Sequence, residues 1–163
     1  MGLQSASNEV LTVIRRGHTA AHFSDAVYKL AKLDIEVVAH VVLGLPGSSH
    51  ESMMNTADFL AHLPVKGIKI HQLMIIENTQ LASMYRKKLV DVFSLDEYAI
   101  LVADFISRLR PDQHIHRLLA DSQLERGLIA PVWAAEKLKS LSVINNYIDT
   151  HHIDQGQLFT SNN

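Results

Sequence analysis

Apolar residues recur along this chain with two different periods. Phe23, Ala26, Val27, Leu30 and Ala31 fall at i, i+3, i+4, i+7 and i+8, the spacing of one helix face. From Glu36 to Leu43 the pattern becomes a nearly continuous apolar run, Val37, Val38, Ala39, Val41, Val42 and Leu43, stopped by Gly44-Leu45-Pro46-Gly47. A run of that kind predicts a strand covered on both faces, as in a parallel sheet. Ser48-Ser49-His50-Glu51 then reads as a capping box, with Ser48 as the N-cap and Glu51 reaching back, opening a helix that runs to about Leu63. Gly67 opens a second strand, Ile68 to Ile76, and Asn78-Thr79 starts another helix toward Lys88. Alternation of helix, strand, helix, strand and helix predicts βαβ units around a parallel sheet.

The second half continues the alternation less regularly. Ser94-Leu95-Asp96-Glu97 is another capping box, and the helix behind it offers Tyr98, Leu101, Val102, Phe105 and Leu109 to a core. Pro111-Asp112 predicts a turn, His114 to Leu119 a short strand, and Pro131 the first turn of a last helix. That helix carries Trp133, Leu138, Leu141, Ile144 and Ile148 as its apolar side, and the polar tail from His151 is expected to be loose. No repeat or linker divides the 163 residues, so one domain is expected. The chain opens on Gly2-Leu3-Gln4-Ser5, which reads as the end of a strand whose beginning is nearly absent. A parallel sheet that starts mid-strand implies a shortened polypeptide.

Composition narrows the chemistry. Charged residues are 20% and apolar residues 47%, a globular balance, and the formal net charge of -2 gives no general basic field for nucleic acid. There is no cysteine, which excludes disulfides, thiolate zinc sites and cysteine-held iron–sulfur clusters within the chain. No basic segment followed by an apolar stretch opens the sequence, and no apolar run approaches the ~20 residues that span a bilayer. A cytoplasmic protein is the expectation.

Five motifs stand in order: Gly2-Leu3-Gln4-Ser5 with Arg15-Arg16-Gly17-His18, His40-Val41-Val42-Leu43-Gly44-Leu45-Pro46-Gly47, Gly67-Ile68-Lys69-Ile70-His71, Ile115-His116-Arg117-Leu118, and Ala130-Pro131-Val132-Trp133. The series resembles the YhcC-like branch of the radical S-adenosylmethionine (radical-SAM) superfamily, related to the Elongator-type and coproporphyrinogen-oxidase-type enzymes. The resemblance covers most of the chain. It implies an α/β fold, a partial (half) β/α barrel of parallel strands with outer helices, plus a helical C-terminal extension. Residues 1–90 would be the C-terminal half of the barrel, entered at the end of its fourth strand, and residues 91–163 the extension. Glu36–Leu43 would be strand five and Ile68–Ile76 strand six.

The complete family binds SAM and a [4Fe–4S] cluster. The cluster cleaves SAM reductively, and the deoxyadenosyl radical abstracts a substrate hydrogen. The three cluster cysteines follow strand one in the family, and this chain has none, so it is expected to be inactive alone and to bind SAM weakly. By resemblance, Gln4 and Ser5 contact SAM and Arg16 grips its carboxylate, which suits a guanidinium's paired donors. Ser5 or Ser7 can instead cap the helix at Val10–Ile14, and Arg16 can stabilise that helix's C-terminus ahead of Gly17. His40 stands where relatives often carry an aspartate to the SAM ribose, and Gly44, Leu45 and Pro46 form the loop that would approach the cofactor. Lys69 and His71 share one strand face and, if it is the inner one, point at substrate. His116 and Arg117 are adjacent, so at most one of them should face the cavity. Trp133 is expected in the core.

Two other readings carry different tests. His114 and His116 would stand on one side of a strand, and with ten histidines in the chain a histidine-metal hydrolase is conceivable, although no His-Glu-x-x-His motif accompanies them. A half-barrel also exposes strand edges, so the chain could be a non-catalytic, self-associating module, a homo-oligomer that covers those edges. The substrate is unknown from sequence.

Overall fold

In the computed structural model, which describes residues 1–120 and 127–161, the chain runs β1 (Gly2–Gln4), α1 (Asn8–Val13), α2 (Ala20–Ala31), β2 (Val38–Leu43), α3 (His50–Ala61), β3 (Gly67–Gln72), β4 (Ile75–Ile76), α4 (Gln80–Arg86), α5 (Leu95–Arg108), β5 (His114–Arg117), β6 (Leu128–Ala130), a 3-10 turn (Val132–Ala135) and α6 (Lys137–Thr150). β1, β2, β3 and β5 form one parallel sheet in that order, and β4 pairs antiparallel with β6. The fold is the α/β partial barrel expected from sequence.

One face of the sheet is dry. Leu3, Ala39, Val41, Leu43, Ile68 and Ile70 are buried against Phe23 and Val27 of α2, Met54, Ala57 and Leu60 of α3, and Tyr98, Val102 and Phe105 of α5. Alternate residues along each strand point the same way, so one register decides which side chains enter this core. Neighbouring strands follow one another in chain order with these helices on one side, the arrangement of a barrel arc and not of a doubly wound sheet. A second, smaller cluster caps the C-terminal ends of the strands: Val10, Leu45, Leu73, Ile75, Ala82, Val90 and Ala130.

The carbonyls at the end of α3 are closed by side chains from the β5 approach. Arg110 Nη1 donates to Ala61 O at 2.6 Å and Leu63 O at 2.8 Å, and Gln113 Nε2 donates to Leu60 O at 3.0 Å. These bonds satisfy groups a helix terminus leaves open and tie the turn before β5 to the helix layer.

Several local expectations shift. The cap of α3 is Ser49 with Ser52, one residue later than the Ser48–Glu51 box, because Ser48 Oγ donates to Leu45 O at 2.6 Å and is committed to the turn. The capping box of α5, Ser94 with Glu97, forms as the sequence indicates. The strand expected to reach Ile76 leaves the sheet after Gln72, because β2 ends at Leu43, the partner of Gln72, and Gly44 (φ +87°) turns its chain away; Ile75 and Ile76 pair with β6 instead. Pro131 precedes a 3-10 turn and not the last helix itself, and Leu138 is 84% exposed, so it is no core residue. Trp133 packs on Tyr98 at a ring distance of 5.2 Å. The tail is held: Gln155 Nε2 donates to Arg110 O and Gln113 O at 2.7 Å each, and Leu158 N donates to Ser107 O at 2.8 Å.

Candidate functional site

The other face of the sheet is where the polar residues gather. The ladder register sets His40 of β2 beside Lys69 of β3, and Lys69 beside Arg117 of β5, a row across three neighbouring strands. His71 stands two residues further along β3, its ring 6.0 Å from that of His40 and stacked at 27°. These residues are half-buried, whereas the alternates on β2 and β3, Ala39, Val41, Ile68 and Ile70, are fully buried in the helix-side core.

The expectation that His116 and Arg117 point to opposite faces fails. Between Ile68↔Ile115 and Lys69↔Arg117 the register slips by one residue, so β5 bulges at His116. A bulge breaks the strict alternation and turns two successive side chains the same way. His116 lies over Gly67, whose missing Cβ would sit 2.5 Å from its Nε2, while Arg117 reaches the ring of His71. Both therefore join Lys69 and His71 on this face.

The His71–Arg117 contact has a consequence for charge. Burial first, then Arg117, His40 and Lys69, hold His71 from its ordinary 6.5 down to about 4. The neutral ring can accept from the guanidinium, which a protonated ring cannot. Arg117 Nε is buried and has no hydrogen-bond partner among the described residues. His40 is lowered too, first by burial and then by the Met1 amino group, Lys69, Arg117 and His116. Among the described residues, the charges that shift these two rings are all positive.

The main chain around Arg117 is pinned from behind. Tyr98 of α5, fully buried, donates from its hydroxyl to Leu118 O at 2.7 Å. Gln72 takes over where the ladder stops, donating from Nε2 to Ala120 O at 2.5 Å and accepting from Ala120 N at 2.9 Å. Nothing in the periodicity of the chain singled out Arg117, Gln72 or Tyr98 for these tasks; Gly67, over which His116 lies, was the one hint.

At the β1 edge, Gln4 and Arg16 meet over Gly2. A Cβ on Gly2 would stand 2.5 Å from Gln4 Nε2 and 2.6 Å from Arg16 Nη2, and Arg16 Nη2 donates to Gly2 O at 3.1 Å. A guanidinium and a carboxamide pack into space that exists because residue 2 is glycine, and their donors suit a carboxylate. Ser5 is buried, and its Oγ accepts from Ser7 N at 3.1 Å; Ser7 is the N-cap of α1. Gly44 and Gly47 adopt left-handed backbone, φ +87° and +82°, so the loop after β2 turns sharply at the strand's C-terminal end. Leu45 is buried in the second apolar cluster, and Pro46 lines a cleft of about 370 Å³ with Arg15, Leu73 and Met84.

An iron–sulfur cluster does not fit this chain. No cysteine exists to hold one, and among the described residues no group of three or more His, Asp or Glu side chains gathers as a metal site. The histidine-metal alternative built on His114 and His116 therefore gains no third ligand among the described residues. Among the described residues, no helix is long and apolar enough to cross a membrane.

Residues 65–150 match the Radical_SAM C-terminal domain family. The Bacillus subtilis protein YtqA is 33% identical over 159 residues, which take in 98% of this chain and 49% of that protein. YhcC of Escherichia coli K12 is 25% identical over 158 residues, 97% of this chain and 51% of that protein. Among solved structures, the archaeal Methanocaldococcus infernus Elp3 with an N-terminal deletion superposes with a TM-score of 0.81 at 19% identity, covering 94% of this chain and 36% of that one. The chain spans about half the length of the curated relatives it matches, and the Elp3 likeness shows the fold.

Proposed function

The chain belongs to the Radical_SAM C-terminal domain family, and from that premise we propose that it forms the SAM- and substrate-facing half of a radical-SAM barrel. The observation that carries this reading is the gathering of Gln4, Arg16, His40, Lys69, His71 and His116 on the one sheet face the helices leave open. In the reading, residues 1–90 are the half-barrel and residues 91–163 its extension. Gln4 and Arg16 hold the SAM carboxylate, with Ser5 behind them keeping the turn into α1. His40 and the Gly44-Leu45-Pro46 loop flank the rest of the cofactor, and Lys69, His71 and His116 face the substrate. SAM, when bound, supplies the reactive group of the family's chemistry. The residues named here bind and orient; the family's cluster is held by three cysteines, and this chain has no cysteine to hold it.

The test is anaerobic reconstitution of the chain with iron and sulfide, followed by a strong reductant and SAM. No 5′-deoxyadenosine is expected, and its appearance above a protein-free control would refute the proposed inactivity. Equilibrium dialysis with labelled SAM is expected to show weak binding that Arg16→Ala abolishes; binding indifferent to that change removes Arg16 from the site.

A second reading is favoured by the sheet order. β1 and β5 are the outer strands of the four, and among the described residues neither has a strand partner on its outer side. A second copy that pairs with them would make the chain a self-associating, non-catalytic module. Sedimentation at micromolar concentration separates the readings: a clean monomer removes the homo-oligomer.

A further inference from the structure

The inner face has a charge pattern that sheet packing alone does not account for. None of β1, β2, β3 and β5 contains an aspartate or glutamate, while the inner face holds Lys69, Arg117, His40, His71 and His116. Lys69 and Arg117 are register partners on adjacent strands, and like charges directly opposite one another oppose pairing. The β5 bulge adds His116 to the same side when a regular strand would have turned it away. Arg117 leans on a neutral imidazole and keeps its Nε buried with no partner among the described residues, where a structural arginine ordinarily meets a carboxylate. A cation held in this way on an open face is compensated when an anion arrives.

We propose that this face is an oxyanion-binding floor, and that the molecule handled by the assembled barrel carries a phosphate or carboxylate group that docks between Lys69 and Arg117 beside His116. The proposal rests on the half-barrel reading above and names the chemical class of its substrate. The docking point is distinct from the Gln4–Arg16 notch at the β1 edge, two strands away from β3. His71 acts as a positioning residue: its unprotonated ring receives the guanidinium and holds it against the sheet without neutralising it.

The experiment titrates the full chain with inorganic phosphate, and in a parallel arm with acetate, at constant ionic strength held by sodium chloride. Histidine ring resonances of His40, His71 and His116 are followed by NMR. A saturable shift centred on His116 is expected, with phosphate, acetate or both, and the arm that saturates identifies the oxyanion. Lys69→Met and Arg117→Met should each weaken it roughly tenfold, the loss of one charge-assisted contact, and Arg117→Lys should recover part of it. If Arg117→Met does not fold, Lys69→Met at its half-exposed position still decides the matter. Shifts that follow ionic strength without saturating, or that ignore Lys69→Met, overturn the proposal. A third arm uses SAM: SAM binding that needs Lys69 and excludes phosphate would give the floor to the cofactor and overturn the substrate assignment. If phosphate and acetate fail while SAM binds in an Arg16-dependent way, the substrate class falls and the half-barrel reading stands. If an oxyanion binds and SAM does not, the floor stands and the half-barrel reading falls.

Discussion

Acidification from pH 7 to pH 5 is expected to cost this protein more stability than it costs its His71→Gln variant. His71 is held at about 4 in the fold against an ordinary 6.5, by burial first and then by Arg117 of β5, His40 of β2 and Lys69 of its own strand. The unfolded chain therefore binds the proton first as pH falls. The folded state keeps its full advantage above pH 6.5 and loses it progressively between 6.5 and 4. A shift of this size, unscreened, is worth about 2 kcal/mol at pH 5 and about 0.2 kcal/mol at pH 7. The ring is only partly buried, so solvent screening reduces the difference to about 1 kcal/mol. Glutamine can still accept from Arg117 but takes up no proton, so the variant should lose about 1 kcal/mol less than the wild type over the same interval. Urea unfolding followed by circular dichroism at the two pH values measures both losses. Equal losses in the two proteins, or an NMR titration midpoint for His71 at or above 6.5, would refute the reasoning.

Three other perturbations have defined outcomes. Tyr98→Phe removes the buried bond to Leu118 O and should lower the unfolding free energy by about 1–2 kcal/mol; a change within a few tenths would show that the carbonyl finds another donor. Ser94→Ala takes out the cap of α5, where the Ser94 hydroxyl accepts from Glu97 N at 3.3 Å, and should cost about 1 kcal/mol in urea titration; an unchanged midpoint would tell against the capping box. Gly67→Ala puts a Cβ within 2.5 Å of His116 Nε2, and because His116 is an exposed residue whose side chain can turn aside, stability should fall by less than about 1.5 kcal/mol while the His116 resonance moves. An unmoved resonance would contradict the bulge that brings His116 over Gly67.

Much of the architecture was legible along the chain. The nearly continuous apolar run at Val37–Leu43, the Gly44–Gly47 stop and the alternation of periods were enough for parallel strands with helices between them, because a strand's two-residue period and a helix's 3.6-residue period depend on local geometry alone. The Ser94–Glu97 box was legible for the same reason: both of its hydrogen bonds lie within four residues. The motif order also carried the family. What the chain could not declare was settled by distant partners. Gln72 leaves the ladder for Ala120, forty-eight residues away, and Ser48 gives up its cap because Leu45 O takes its hydroxyl. The tail is held because the Gln155 amide finds carbonyls at Arg110 and Gln113. Most telling is the inner face, where a one-residue slip between β3 and β5 turned His116 and Arg117 to the same side. Alternation belongs to a single strand and can be counted in its sequence. A bulge belongs to a pair of strands, and with it came the row of cations on which the substrate assignment depends.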